Sequence, residues 1–425
     1  MSGHAETAEA TSEATYASLL TDPRLLIILS ISVSGTMGPN VASPALPAMA
    51  GSLAVTDARV GLVMTAYTLP AMVFVPLTGA LADMYGRRTV ILPSLVAFGL
   101  AGTAIAFVGS VTGPGGVVPL SPFQAILALR AVQGAGVAGF MSLTVTLLGD
   151  LYAGGAGTTA QGIRVGANGL SGILVPLAAG ALAGIAWNAP FLIYGLALAF
   201  AVVAFVALPE TTGGIDDGTG VLDTLASYGR SLRVEMADIQ TGVLISGGFA
   251  RDFVRYAVIT FVPLFAVRVL GASLAEAGAV LAVRGVAAIV VSPTAGELTG
   301  RYDHRHALLL ALALTAGSVA LFPAAPSIPL LGALLLVYSV GDALFSPVIK
   351  DAVTDAARDE YRSGVVGGMQ LLKYAAQTAS PAVFGVVLAV SGFDTLFWGA
   401  ALVSGLYAAA VFGLLGSATE RSTKG

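Results

Sequence analysis

Long apolar runs broken by short polar turns dominate the chain from Leu25 to Gly416. A bilayer core needs about 20 mostly apolar residues per α-helix. Stretches of that kind begin near Leu25, Val60, Thr89, Phe123, Val165 and Pro190, then near Ile239, Leu274, Ala307, Ile328, Val365 and Leu396. The pattern predicts an all-α integral membrane protein with 12 transmembrane helices. One longer polar stretch, 209–237, contains GGIDDGTG and reads as a linker too polar to bury. The chain therefore divides into a disordered tail (1–22), a six-helix bundle (23–208), the linker (209–237), a second six-helix bundle (238–416) and a short tail (417–425).

Composition strengthens the picture. Only 10% of residues are charged, with 53 glycines, whereas a soluble domain carries about a quarter charged residues. Small residues let helix backbones approach closely in lipid. The absence of cysteine removes disulfides, thiolate metal sites and cysteine nucleophiles. A net charge of -4 gives no basic footprint for nucleic acid. The polar start, with Glu6, Glu9 and Glu13, has none of the features of a signal peptide.

Basic residues set the expected orientation, because Lys and Arg stay on the cytoplasmic side. Arg24, Arg87, Arg88, Arg164, Arg230, Arg233, Arg301, Arg305, Lys350, Arg358, Arg362, Arg421 and Lys424 fall in the tails and even-numbered turns, against only Arg59 and Arg268 on the other face. Both termini are thus expected in the cytoplasm, in a multi-pass protein of the cell membrane. The halves also align without a gap: Gly61, Pro76, Gly79, Tyr85 and Arg88 fall on Gly278, Pro293, Gly296, Tyr302 and Arg305. A duplicated six-helix unit places a binding site between the halves near the midplane.

The turn GALADMYGRR, Gly79 to Arg88, resembles the signature loop of the major facilitator superfamily, and GELTGRYDHR in the second half is a degraded copy with Gly300 in the Asp position. The resemblance covers essentially the whole chain and implies two pseudo-symmetric six-helix bundles. Independently of it, Gly79 would permit tight helix contact, Gly86 a sharp turn, and Asp83 could face a neighbouring helix N-terminus. The family pattern implies a cytoplasmic latch made by Asp83, with Arg87 pairing to Asp150 at the end of helix 4. Helix 4 carries LALRAVQGAG, similar to an R-x-x-q-G motif of proton-coupled carriers, with Arg130 and Gln133 on one face. Helix 5 carries a partial antiporter motif, GLSGILVPLAAGAL, in which Gly172, Pro176 and Gly180 survive.

Arg130, Arg251, Asp252, Arg255, Arg284, Asp342 and Lys373 fall inside the spans. Each costs about 2.5–3.5 kcal/mol at a helix centre, so each must face a partner or a wet cavity. By the resemblance, helices 1, 4, 7 and 10 line that cavity, which brings Arg130, Arg251, Asp252, Arg255 and Asp342 to it. Asp342 and Lys373 lie at similar depth and are candidates for an ion pair. Arg251 and Arg255 flank Asp252 on one helix. Helix 1 offers only neutral polar groups such as Asn40, so a proton carrier is expected at Asp252 or Asp342, with Asp83 and Asp150 in the loops as weaker candidates. The leading reading is a monomeric secondary transporter that exports small organic compounds or drugs in exchange for protons by alternating access. The alternative is proton-coupled uptake of an anionic metabolite, with a non-transporting receptor behind both. No nucleotide loop, HExxH or other catalytic motif stands in the chain, and no enzyme activity, metal or cofactor is assigned.

Overall fold

The computed structural model describes residues 16, 18–112, 119–208, 221–291, 304–358 and 360–422. The first bundle contains α1 (Pro23–Ser52), α2 (Asp57–Tyr85), α3 (Arg87–Ser110), α4 (Pro122–Leu151), α5 (Gly154–Ile185) and α6 (Ala189–Ala207). The second contains α7 (Ile239–Arg268), α8 (Leu274–Val291), α9 (His304–Ala324), α10 (Ile328–Ala356), α11 (362–391) and α12 (393–422). A kink at Gly392, φ 81°, separates the last two, a conformation that glycine adopts without a Cβ clash. Most of these helices are long and apolar enough to cross a membrane. The 30-residue α7 is long enough to cross it and carries Arg251, Asp252 and Arg255 along its middle.

Local signals explain the helix ends. Asp22 caps α1, and Ser121 with Gln124 forms a capping box at α4, each satisfying N–H groups that the helix leaves unpaired. Asp238 caps α7 through Thr241. Gly86, φ 89°, makes the sharp turn between α2 and α3. Helix 5 begins at Gly154, earlier than the apolar run near Val165 suggests, because its first turns pass through polar surroundings.

The duplication is visible in contacts as well as in residues. Arg88 donates to the Phe205 carbonyl at 2.6 Å and lies over the Phe205 ring, and its counterpart Arg305 does the same to Phe412 at 2.7 Å. Each arginine thus ties the third helix of its bundle to the sixth.

Part of the expected linker is built differently. Val221–Glu235 is an amphipathic helix, with Ser231 and Glu235 buried. It packs on α11, where Gly364, Gly367 and Gly368 leave room for Ser231, Tyr228 and Leu232. Glu235 accepts from Arg358 Nε at 2.8 Å. The apolar stripe that buries this helix is spaced through polar sequence, which hides it from hydropathy. Residues 292–303, which hold most of the degraded loop copy, part of the linker (209–220) and the tail 1–15 lie outside the described residues.

Candidate functional site

The bundles meet chiefly along four helix pairs: α1 with α7 and with α8, α2 with α11, and α5 with α8. The α5–α8 seam is made of small residues. A Cβ on Gly278 would stand 2.3 Å from the Pro176 carbonyl and 3.0 Å from Gly180 Cα, and one on Gly285 would stand 2.6 Å from the Gly169 carbonyl. Gly172 faces Gly285 across the same seam. Gly172, Pro176 and Gly180 therefore form a close inter-bundle contact, whose α8 half, Gly278 and Gly285, the helix 5 motif alone does not reveal.

At the end away from the signature loop the bundles are bonded to each other. Ser43 donates to the Ile259 carbonyl. Thr65 donates to the Thr378 carbonyl at 3.0 Å, and Thr378 to the Thr68 hydroxyl at 3.1 Å. Arg268 reaches both oxygens of Asp57, at 3.0–3.2 Å. At the loop end, Leu81, Met84 and Tyr85 are exposed.

The signature loop itself is half engaged. Arg87 pairs with Asp150, joining the start of α3 to the end of α4. Asp83 is exposed and makes no hydrogen bond or ion pair among the described residues. Gly79, expected at a tight contact, has open space around it with nothing within 4 Å of a Cβ. The small residue there marks a gap between helices.

Arg130 overturns a second expectation. Far from lining a cavity, it is fully buried. Its Nε donates to the Val63 carbonyl at 3.2 Å, Nη1 to Gln133 at 2.6 Å and Tyr194 at 3.1 Å, and Nη2 to the Gly38 carbonyl at 3.1 Å. The guanidinium also lies 4.5 Å from the Tyr67 ring centroid. Carbonyls from α1 and α2, Tyr194 from the α6 segment and a cation–π contact thus disperse its charge without a carboxylate. Arg130 and Gln133 form a knot that holds the first bundle together. Asn40, half-buried nearby on α1, makes no hydrogen bond among the described residues.

The titratable site lies in the second bundle. Arg251 Nε contacts Asp342 Oδ1 at 2.7 Å, and its Nη1 reaches Asp252 Oδ1 at 3.3 Å. Arg255 stands 3.9 Å from each acid, too far for a hydrogen bond. Gln377 of α11 donates to the other oxygen of Asp252 at 3.1 Å. One arginine is therefore shared by two carboxylates from α7 and α10. Asp342 takes Arg251 as its partner, and the expected pair with Lys373 does not form. Lys373 instead packs along Gly248 on α7. The helix rotation that turns Lys373 away from α10 is invisible in depth along the membrane, which was the basis for pairing them. A small, mostly apolar cavity behind this cluster, where Val254, Leu312, Tyr338 and Phe345 stand beside Arg251 and Asp342, has room for about one water molecule.

The family model of the Major Facilitator Superfamily matches residues 26–229 and 244–425. The chain belongs to this superfamily. As a superfamily transporter it has curated relatives in Bacillus subtilis: it is 31% identical to the bacillibactin exporter over 169 residues, covering 39% of this chain and 40% of the relative. It is 20% identical to the multidrug transporter protein MdtP over 421 residues, covering 86% and 75%. The alignments span two fifths of the bacillibactin exporter and 21% of an MFS-type transporter of Aspergillus terreus. Among solved structures the nucleoside transporter NupG superposes with a TM-score of 0.73 at 14% identity, over 92% of this chain and 99% of that one. The human organic anion transporter MFSD10 gives 0.64 at 20% identity, over 92% and 99%. These place the fold among multi-pass membrane transporters, with two six-helix bundles.

Sequence reasoning missed Gln377, because a lone glutamine in an apolar span carries no motif, and missed Asp57 as the partner of Arg268. Both are long-range pairings that only the assembled bundles create.

Proposed function

We propose that the transporter exports small organic compounds in exchange for protons, by rocking its two bundles around a central site. The observation that carries this reading is the pair of mid-membrane carboxylates, Asp252 and Asp342, held by one shared arginine. A substrate group that engages those carboxylates competes with protons for the same oxygens, and that competition is what exchange requires. The export functions named for the bacillibactin exporter and for the multidrug efflux protein YfmO of Bacillus subtilis point the same way. Positive charge at the signature-loop end supports a cytoplasmic placement of that end and of both termini, in the cell membrane. The bonded far end and the free Asp83 describe a conformation whose cavity opens toward the cytoplasm. The carrier works as a monomer, with Asp83, Gly86, Arg87, Arg88 and Asp150 controlling closure on that side.

A second reading, uptake of an anionic metabolite together with protons, is favoured by the excess of cations around the two acids. A substrate held by the cations would leave the carboxylates free to carry a proton in the same direction. Growth protection by the chain in an efflux-deficient host across toxic compounds, with full loss in Asp252→Asn or Asp342→Asn, is the expected result. Full activity in both variants would remove these acids from the mechanism. The direction of proton flux when substrate is added to proteoliposomes separates exchange from uptake.

A further inference from the structure

The second-bundle cluster holds more positive charge than its own carboxylates compensate. Arg251, Arg255, Arg284 and Lys373 stand against Asp252 and Asp342. Arg251 takes up both acids through its close contacts. Arg255 is left 3.9 Å from each, with 35% of its side chain exposed. Arg284 on α8 and Lys373 on α11 are half-buried and make no hydrogen bond or ion pair among the described residues. Arg255 lies within electrostatic reach of both, so the three cations form one field.

Among the described residues, no further carboxylate of the surrounding helices stands at that depth. In α1, α5 and α11 there is none, and those of α2, α8 and α10 other than Asp342 stand in the end turns: Asp57, Asp83, Glu276, Asp351 and Asp355. The cluster therefore keeps two positive charges beyond its acids, at a depth where an unpaired charge is costly. Arg284 and Lys373 stand on the two helices of this cluster that also meet the first bundle, α8 on α5 and α1 and α11 on α2, with Lys373 lying against Gly248 of α7. Tyr256 and Tyr338 lie within electrostatic reach of Arg255 and Arg284, and Tyr374 within that of Asp252, and they add aromatic faces and hydroxyl groups. The repeat underlines the difference between the halves: Arg284 occupies the position of Tyr67, which in the first bundle covers the neutralised Arg130.

We propose that Arg255, Arg284 and Lys373 form an anion-binding subsite of the central cavity, which takes the carboxylate or similarly acidic groups of an aromatic organic anion with up to two negative charges. This rests on the carrier reading and on neither direction of transport.

The test uses the full chain in nanodiscs of neutral lipid and four probes of similar size: phthalate, benzoate, benzamide and benzylamine. Phthalate should bind more tightly than benzamide by about tenfold or more, with benzoate between them and benzylamine weakest, since charge complementarity sets the order. Arg284→Gln and Lys373→Gln should each weaken phthalate about tenfold while leaving benzamide unchanged. Both variants should melt no lower than the parent without ligand, because each removes an uncompensated buried cation; a purely structural role predicts a lower melting temperature. Equal or tighter binding of benzylamine, no binding of either anion, or unchanged phthalate binding in both variants overturns the proposal. Anion binding without any growth protection would instead leave the subsite standing and remove the export reading.

Discussion

Breaking the Asp57–Arg268 contact should loosen the closed far end by a measurable and limited amount. Asp57→Asn keeps the shape of the side chain and removes its charge. Arg268 makes three hydrogen bonds to Asp57 of 3.0–3.2 Å and one to the Pro47 carbonyl at 3.4 Å. The pair joins residues 211 apart and therefore belongs to the closed far end alone. Its side chains are 39% and 25% exposed, so it is worth about 0.2–1 kcal/mol, toward the upper end for two-pronged geometry. Losing it shifts the balance of closed and open far ends by a factor of about 1.4 to 5. The hydrogen bonds at Thr65 and Thr378 remain, so the seam shifts without collapsing. Because the chain has no cysteine, Ser43→Cys provides a single thiol at a fully buried seam position. Its rate of reaction with a charged maleimide should rise by that factor when Asp57→Asn or Arg268→Gln is added. Combining the two should add nothing further, as expected for partners in one interaction. High salt should narrow the difference by screening the parent pair. A rate unchanged in both single variants would refute the idea that this pair holds the far end shut.

Other substitutions test the remaining architecture. Arg130→Ala should lower stability by about 2–5 kcal/mol, since it takes the partner from the Gln133 side-chain carbonyl and leaves a cavity beside Tyr67, while Tyr194 still donates to the Gly38 carbonyl; thermal unfolding in detergent checks this, and a loss below about 1 kcal/mol would contradict the knot. Gly278→Leu should abolish transport while the chain still inserts, because even a Cβ there meets the Pro176 carbonyl at 2.3 Å; transport at the parental rate would show that the α5–α8 seam is not closely packed in the working cycle. Asp238→Ala should cost about 1 kcal/mol by removing the α7 cap. The Asp238 carboxyl, just outside α7, is held below its ordinary value by the Thr241 N–H and hydroxyl. A lowered folded value means that its contribution is complete above the ordinary carboxylate range and fades as pH falls through the lowered value. The stability difference between parent and Asp238→Ala should therefore shrink in acid.

Sequence and structure diverge in an instructive way. Span length, the six-plus-six division and the repeat were legible because hydrocarbon demands long apolar helices and because Pro76, Tyr85 and Arg88 recur in register. The charges of α7 were legible too: their i, i+3 and i, i+4 spacing places Arg251 and Arg255 around Asp252 on any helix. What depends on helix rotation and neighbour identity was not. Depth alone placed Asp342 level with Lys373, yet α10 turns Asp342 toward Arg251. An arginine inside a span signals that something must neutralise it, but carbonyls of Gly38 and Val63 do so as well as an acid would, and no motif distinguishes the two solutions.

The contrast between the halves carries the functional argument furthest. Among the described residues the first bundle carries Arg130 at its centre and Arg164 nearer the loop end of α5, and neutral groups meet both: carbonyls, Gln133 and Tyr194 for Arg130, Gln161 and Ser32 for Arg164. The second contains Arg251, Arg255, Arg284 and Lys373 with only Asp252 and Asp342, and binds the acids to each other through Arg251. On the proposed exchange reading, a duplicated unit that silences its charge in one copy and accumulates it in the other would divide the work, the first bundle as a rigid wall and the second as the source of the groups that exchange a proton or an ion. Rocking one against the other then changes the access of the charged half, while the α5–α8 glycine seam keeps the two in contact. A central neutral compound would make no use of that asymmetry, whereas a charged one would feel it throughout the cycle.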